Sequence, residues 1–156
     1  MKISANLTLK EVTKSLTATR RGIDNEPKGE HLTALINLAN NVFQPIREHF
    51  GNPIFVSSGY RSPELNKAIG GSKTSQHCKG EAIDIDNDAL EYPTNSDIFW
   101  YIYDHLDFDQ MIWEFGDDKS PSWVHVSYKS EGNRKQVLRA SKSKGRTVYI
   151  NFQDNR

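Results

Sequence analysis

The chain contains a single cysteine, Cys78, among its 156 residues, which excludes an internal disulfide framework and any multi-cysteine zinc cluster. It has no surplus of either charge: 20 Lys plus Arg meet 20 Asp plus Glu, and the pI is about 7.0. Binding a polyanion through overall charge requires a basic excess on one face, so no nucleic-acid partner is expected. No apolar run approaches the roughly 20 residues that span a bilayer, and Met1-Lys2-Ile3-Ser4 opens no signal-peptide pattern. These absences predict a protein made in the cytoplasm and not inserted in a membrane, and a monomer is expected. Repeats, low-complexity tracts and Pro/Gly/Ser linkers are also lacking, so residues 1–156 read as a single domain.

What the chain does have is aromatic residues. Three Trp, six Tyr and seven Phe supply a core despite a polar mean hydropathy of −0.69. Thr8-Leu9-Lys10-Glu11 is a capping box that predicts a helix to about Leu16, followed by a loop over 19–30. Leu32, Leu35, Ile36, Leu38, Ala39, Val42, Phe43 and Ile46 recur at helical spacing and predict a helix from about Glu30 to His49. Pro45 should kink it or split its last turn. A strand is expected over Ile54–Ser58, and Ser62-Pro63-Glu64 opens a short helix that Gly70-Gly71 ends. Past Gly71 the period shortens. Strands are predicted at 82–86, 110–115 and 123–128, with a helix over Thr94–Leu106 between the first two. Residues 137–140 and 147–152 read as a closing hairpin. Early helices and late, closely spaced strands predict an α+β fold on an antiparallel sheet.

The chemistry concentrates in Ser75-Gln76-His77-Cys78-Lys79-Gly80-Glu81-Ala82-Ile83-Asp84 and in Trp123-Val124-His125-Val126. If Ile83 and Ile85 face the core, Asp84 projects from the opposite side, and the same alternation sends His125 outward between Val124 and Val126. Glu114 shares a face with Ile112 and Gln110, but alternation alone does not say which face that is. Two imidazoles and one carboxylate make a three-ligand zinc set that leaves the fourth position open. A surface histidine and a solvated strand aspartate are the ordinary alternatives.

The string Ser75-x-His77-x-x-Gly80-x-Ala82-x-Asp84, with Trp123-x-His125 downstream, resembles the zinc D-Ala-D-Ala carboxypeptidase family. That family includes dipeptidases and the L-alanyl-D-glutamate endopeptidases used as phage endolysins. Ser57-Ser58-Gly59-Tyr60-Arg61-Ser62 is similar to the block ahead of the family's metal motif, and the resemblance covers about Asn25 to Asn133. It implies a hedgehog-type zinc fold, with helices packed on one side of the sheet. One Zn2+ per chain would be held by His77, Asp84 and His125. The position three before the second histidine, a catalytic Glu in some relatives, is Ser122, and the one two before it, a His in others, is Trp123. The hedgehog-like pattern matches better and makes Glu114 the general base. Arg61 would hold a substrate carboxylate or the oxyanion, or else serve as a structural salt-bridge donor. Ser75 and Gln76 would bind the substrate backbone, or only shape the loop.

The implied activity is cleavage of the peptidoglycan stem peptide by a phage or prophage-type L-alanyl-D-glutamate endopeptidase that reaches the wall by a separate route or as part of a virion. A D-Ala-D-Ala carboxypeptidase or dipeptidase and a non-catalytic zinc-stabilised binding module are the alternatives. Cys78 is expected to be a small, partly buried thiol, and His31, His49 and His105 to be surface residues. Trp113 and Trp123 are expected in the core or the cleft wall, and Asp86 as a solvated carboxylate. The basic residues after Tyr128 are expected to form a solvated hairpin.

Overall fold

The computed structural model describes residues 1–156. It opens with β1 (Lys2–Ser4) and β2 (Leu7–Thr8), an antiparallel pair too short to leave a periodic signal in the sequence. The capping box forms as expected, with Thr8 N donating to Glu11 Oε2 and Glu11 N to Thr8 Oγ1. Its helix α1 (Leu9–Thr13) is shorter than expected, because Ser15 accepts from Ala18 N and starts a separate helix, α2 (Leu16–Arg21). The expected loop therefore begins only at Gly22, in the left-handed region at φ 65°.

The long helix is present in three pieces: α3 (Glu30–Leu38), a π-helical turn (Ala39–Phe43) and α4 (Gln44–Phe50). Pro45 has no amide hydrogen to give the preceding turn, so the irregularity lies ahead of it, and its ring sits in the first turn of α4. Leu38, Ala39, Val42, Phe43 and Ile46 all remain buried across the irregular turn.

The remaining elements are β3 (Val56–Ser58), α5 (Pro63–Ala68), a 3₁₀ turn (Gln76–Lys79), β4 (Ala82–Ile85), α6 (Asn95–His105), β5 (Gln110–Glu114), β6 (Trp123–Ser127), β7 (Gln136–Ser143) and β8 (Arg146–Asn151). Six strands form one sheet in the order β3-β4-β6-β5-β7-β8. The fold is α+β. The wholly antiparallel sheet expected from sequence is corrected at one pair, since β7 runs parallel to β5. The chain leaves β6 through residues 128–135 and returns along the open edge of β5. Arg134 N and Gln136 N both bond to Asp109, which starts β7 beside the first residue of β5.

Alternation divides the sheet into two faces. Ile83, Ile85, Met111, Trp113, Val124 and Val126 join Leu35, Leu38, Phe43, Ile98, Phe99 and Ile102 in a core cluster of 22 buried residues. Each such side chain, fully buried, contributes about 1.5–3 kcal/mol. The other face carries the polar residues. Asn95, at the start of α6 and fully buried, links the loops behind two strands of that face. Its Oδ1 accepts from Asn87 N at 2.7 Å, and its Nδ2 lies within 3.2 Å of Asp86 Oδ1, Asp88 Oδ1, Pro121 O and Ser122 O. The exit of β4 is thereby tied to the entry of β6. Asn95→Ala leaves several of these buried groups unpaired and is expected to cost about 2 kcal/mol or more. Urea unfolding measures the cost, and an unchanged midpoint would show that the two loops hold without it.

Candidate metal centre

In the β4–β6 ladder Asp84 lies opposite His125, and in the β5–β6 ladder His125 lies opposite Ile112 and Trp123 opposite Glu114. Residues opposite one another share a face, so Asp84, His125, Ile112 and Glu114 all project away from the helices. The face of Glu114, open from alternation alone, is thus the face of the ligands. His77 arrives from outside the sheet, on the 3₁₀ turn that Ser75 caps by accepting from His77 N at 3.2 Å. Gly80 ends that turn at φ 72°, and a Cβ there would lie 2.2 Å from the His31 carbonyl oxygen. Only glycine lets the turn pack against α3.

His77 is buried, and its Nδ1 lies 2.7 Å from the Gly59 carbonyl oxygen. A carbonyl only accepts, so Nδ1 carries the proton and Nε2 presents a lone pair. That lone pair faces Asp84 Oδ1 at 3.3 Å, and His125 Nδ1 lies 2.9 Å from the same oxygen. A lone pair held against a carboxylate oxygen in a buried site is repulsive unless a proton or a metal ion lies between them. The ligand atoms of His77, Asp84 and His125 all fall within 4.8 Å of one another. A 3.3 Å separation is close to the edge of a tetrahedron with the roughly 2.0–2.2 Å ligand distances of zinc. The donor set fits zinc with a position left open for water or substrate. Cys78, beside His77, is not part of the group, and neither is Glu114.

Burial alone would raise the Asp84 carboxyl, but hydrogen bonds from His125 and His77 override it and hold it well below the usual carboxylate range. Glu114 moves the other way. Burial pushes its pKa up to about 7; His125 pulls it part of the way back, and the negative charge of Asp84 adds a smaller push upward. Only 7 % of Glu114 is exposed. Its row neighbours are the half-buried Trp123 and the fully buried Ala140, and no hydrogen bond contributes to the shift of its carboxyl.

A cavity of about 670 Å³ takes in Glu114, the three candidate ligands, Arg61, Ser75 and Gln76. Every site residue expected from sequence therefore lies on one cavity. Arg61 Nη2 donates to Ser75 Oγ at 3.2 Å, while its Nε is buried without a partner. Gln76 Nε2 lies 3.1 Å from Asp109 Oδ2 and 3.4 Å from Glu81 Oε1, so its NH2 group is engaged within the protein. Trp113 is in the core, Trp123 lines the cavity, and Cys78 is partly buried. Asp86 accepts from Asp88 N and Asn95 Nδ2. His49 and His105 are exposed, but His31 is not a free surface residue: it is half-buried, with Nδ1 3.3 Å from the Tyr60 hydroxyl.

Two residues that sequence reasoning passed over support the centre. Gly59 supplies the carbonyl that orients His77, and a Cβ there would meet the Val12 carbonyl oxygen at 2.3 Å. Its place in the Gly59-Tyr60-Arg61 string was the available signal. Asp109 is buried and receives Arg134 Nε and Nη2 at 3.0 and 2.9 Å together with Gln76. These hydrogen bonds outweigh the raising effect of burial and keep its carboxyl below the ordinary range. Nothing in the sequence separates Asp109 from a solvated strand-start aspartate.

Purified protein is expected to retain about one zinc per chain, and His125→Ala to lower both zinc content and melting temperature. Elemental analysis with thermal melts checks this, and undiminished zinc in His125→Ala would remove that residue from the ligand set. The raised pKa of Glu114 gives a second expectation, for metal-free protein. The unfolded chain releases this proton near pH 4.5 and the folded chain near 7, so the folded state binds more protons in between and parent stability falls as pH rises through that window. Glu114→Gln abolishes this titration. Its melting temperature should gain on the parent's progressively from pH 4.5 to above 7, and a pH-independent difference would contradict the raised pKa.

A family model described as Peptidase M15 matches residues 5–127, a span that includes His77, Asp84, Glu114 and His125. No curated protein matches the chain. The match covers most of the sequence and includes a donor set arranged as a metallopeptidase requires, and on these grounds the chain belongs to the Peptidase M15 family.

Proposed function

We propose that the protein is a zinc-dependent peptidase that cuts the peptide stem of bacterial peptidoglycan, and specifically an L-alanyl-D-glutamate endopeptidase of the phage or prophage endolysin type. The observation that carries the endopeptidase reading is the extent of the cavity on both sides of the triad. It runs from Arg61, Ser72 and Thr74 on one side to Leu138, Thr147 and Tyr149 on the other. A substrate can therefore place residues on both sides of the bond to be cut. The wall-peptide substrate rests on the sequence motifs around His77 and His125. The enzyme would meet that substrate after release by a separate route or as part of a virion.

Zinc held by His77, Asp84 and His125 would supply Lewis acidity at the scissile carbonyl. The remaining work falls to the chain. Glu114, with a pKa of about 7, is poised between its acid and base forms near neutral pH. As the base it takes a proton from the attacking water, and as the acid it delivers that proton to the leaving amine. Arg61 has a buried, unpartnered Nε and a planar guanidinium steadied by Ser75, and so offers a fixed donor to a substrate carboxylate or to the developing oxyanion. Ser75 and Gln76 hold the peptide backbone, Ser75 through its hydroxyl hydrogen and Gln76 through its amide oxygen. The apolar flank of Glu114 limits competing water.

Digestion of purified peptidoglycan and defined muropeptides, followed by mass spectrometry, is expected to reveal a new D-glutamyl N-terminus. Release of a terminal D-alanine would instead identify a carboxypeptidase. Glu114→Gln is expected to keep zinc and fold while lowering cleavage by at least about 100-fold. Full activity in that variant would remove Glu114 from the chemistry.

A further inference from the structure

The β7–β8 hairpin lies wholly beyond residues 5–127, the part of the chain that the family match covers. It nevertheless reaches the cavity. In the sheet Glu114 lies opposite Ala140, and Ala140 opposite Tyr149, so the three occupy one row and share the face of the metal ligands. The residue between Glu114 and Tyr149 is thus an alanine, whose methyl leaves room above it for a larger neighbour. Ala140 is fully buried, although half of Tyr149 is exposed. Tyr149 and Thr147 both line the cavity that contains Glu114, Asp84 and His125. Arg61 lines it from the β3 side, at the opposite edge of the sheet. With strands about 4.8 Å apart, the two edges of six strands stand about 24 Å apart, wide enough for roughly seven residues of extended peptide.

We propose that the hairpin forms the second wall of the substrate cleft and that Tyr149 is a substrate-binding residue, its phenol donating a hydrogen bond to a peptide carbonyl next to the scissile bond. A phenol suits this place. Ala140 lies opposite it in the row and Leu138 lines the same cavity, which gives a ring apolar partners, and the candidate ligands on that cavity give a hydroxyl a polar neighbourhood. Burial and the negative charges of Glu114 and Asp84 raise its pKa, and no hydrogen bond within the protein contributes to that shift. The hydroxyl keeps its proton at neutral pH and remains available to a ligand. Arg61 and Tyr149 then approach the peptide from opposite sides of the metal centre. The inference rests on the peptidase assignment and not on the wall peptide as its substrate.

The test uses full-length, zinc-loaded protein and a series of dipeptide phosphinates, uncleavable mimics of the tetrahedral species, with affinity measured by calorimetry. Tyr149→Phe is expected to weaken binding of the best phosphinate by about 3- to 10-fold, the effect of losing one neutral hydrogen bond. Tyr149→Ala should weaken it further, since the ring contact is lost as well. Both variants should match the parent in zinc content and melting temperature. Ile150→Thr alters the adjacent residue, which pairs with Arg139 and points to the other face, and should leave affinity unchanged. Equal affinity for parent, Tyr149→Phe and Tyr149→Ala overturns the proposal, as does a parent that binds none of the phosphinates. A parent that binds phosphinate but leaves every muropeptide intact defeats the wall-peptide reading and not the role of Tyr149.

Discussion

The centre depends on the register of β4 against β6. Asp84 and His125 lie directly opposite in that ladder, with Ile83 and Ile85 on one strand and Val124 and Val126 on the other locked into the core. A slip of one residue would bury Asp84 and His125 and expose four apolar side chains, so the core that stabilises the fold also enforces the pairing of the ligands. His77 joins them through a different kind of constraint. Its imidazole is aimed by the Gly59 carbonyl, and its turn is held close to α3 by a glycine where no Cβ fits. The sheet positions two candidate ligands by register and the loop positions the third by steric exclusion.

Glu114 illustrates how one fold gives two carboxylates opposite tendencies. Asp84 receives two imidazoles and is driven toward the charged form, whereas Glu114 has apolar neighbours in its row and is driven toward the neutral one. Both sit on the same sheet face, in adjacent rows. The chain turns sharply just past Glu114, where Phe115 adopts φ 57° and Gly116 φ 70°. A left-handed Phe costs free energy. The Phe115 N–H bond to the Ala140 carbonyl holds it in place, which ends β5 at the residue that must face the cavity.

Polar residues behind the site act as ties between segments remote in sequence. Asp109 joins Arg134 and Gln76, so the start of β5, the entry to β7 and the loop carrying His77 share one buried carboxylate. Asn95 performs a similar service for the loops behind β4 and β6. Buried groups of this kind are costly when left unpaired, which makes each a checkpoint for correct tertiary assembly. The hairpin extends the same sheet beyond the family-matched span and widens the face available to a substrate.

Much of this was legible in the order of residues. Alternation of Ile83-Asp84-Ile85 and Val124-His125-Val126 marked which side chains leave the core, because period is a local property of the chain, and the string from Ser75 to Asp84 with His125 downstream marked a metal set through its resemblance to zinc peptidases. Capping at Thr8 and Ser62 was readable because it too is local. The π turn ahead of Pro45 was not, since a proline announces a missing donor and not where the helix will absorb it. Nor was the parallel pairing of β7 with β5, which depends on anchoring at Asp109 over a distance that no local pattern encodes. The face of Glu114, its raised pKa, the tautomer of His77 and the approach of Tyr149 belong to the same class. Each is set by which strand or loop lies next to it, and a linear sequence states its neighbours along the chain, whereas electrostatics and coordination respond to neighbours in space.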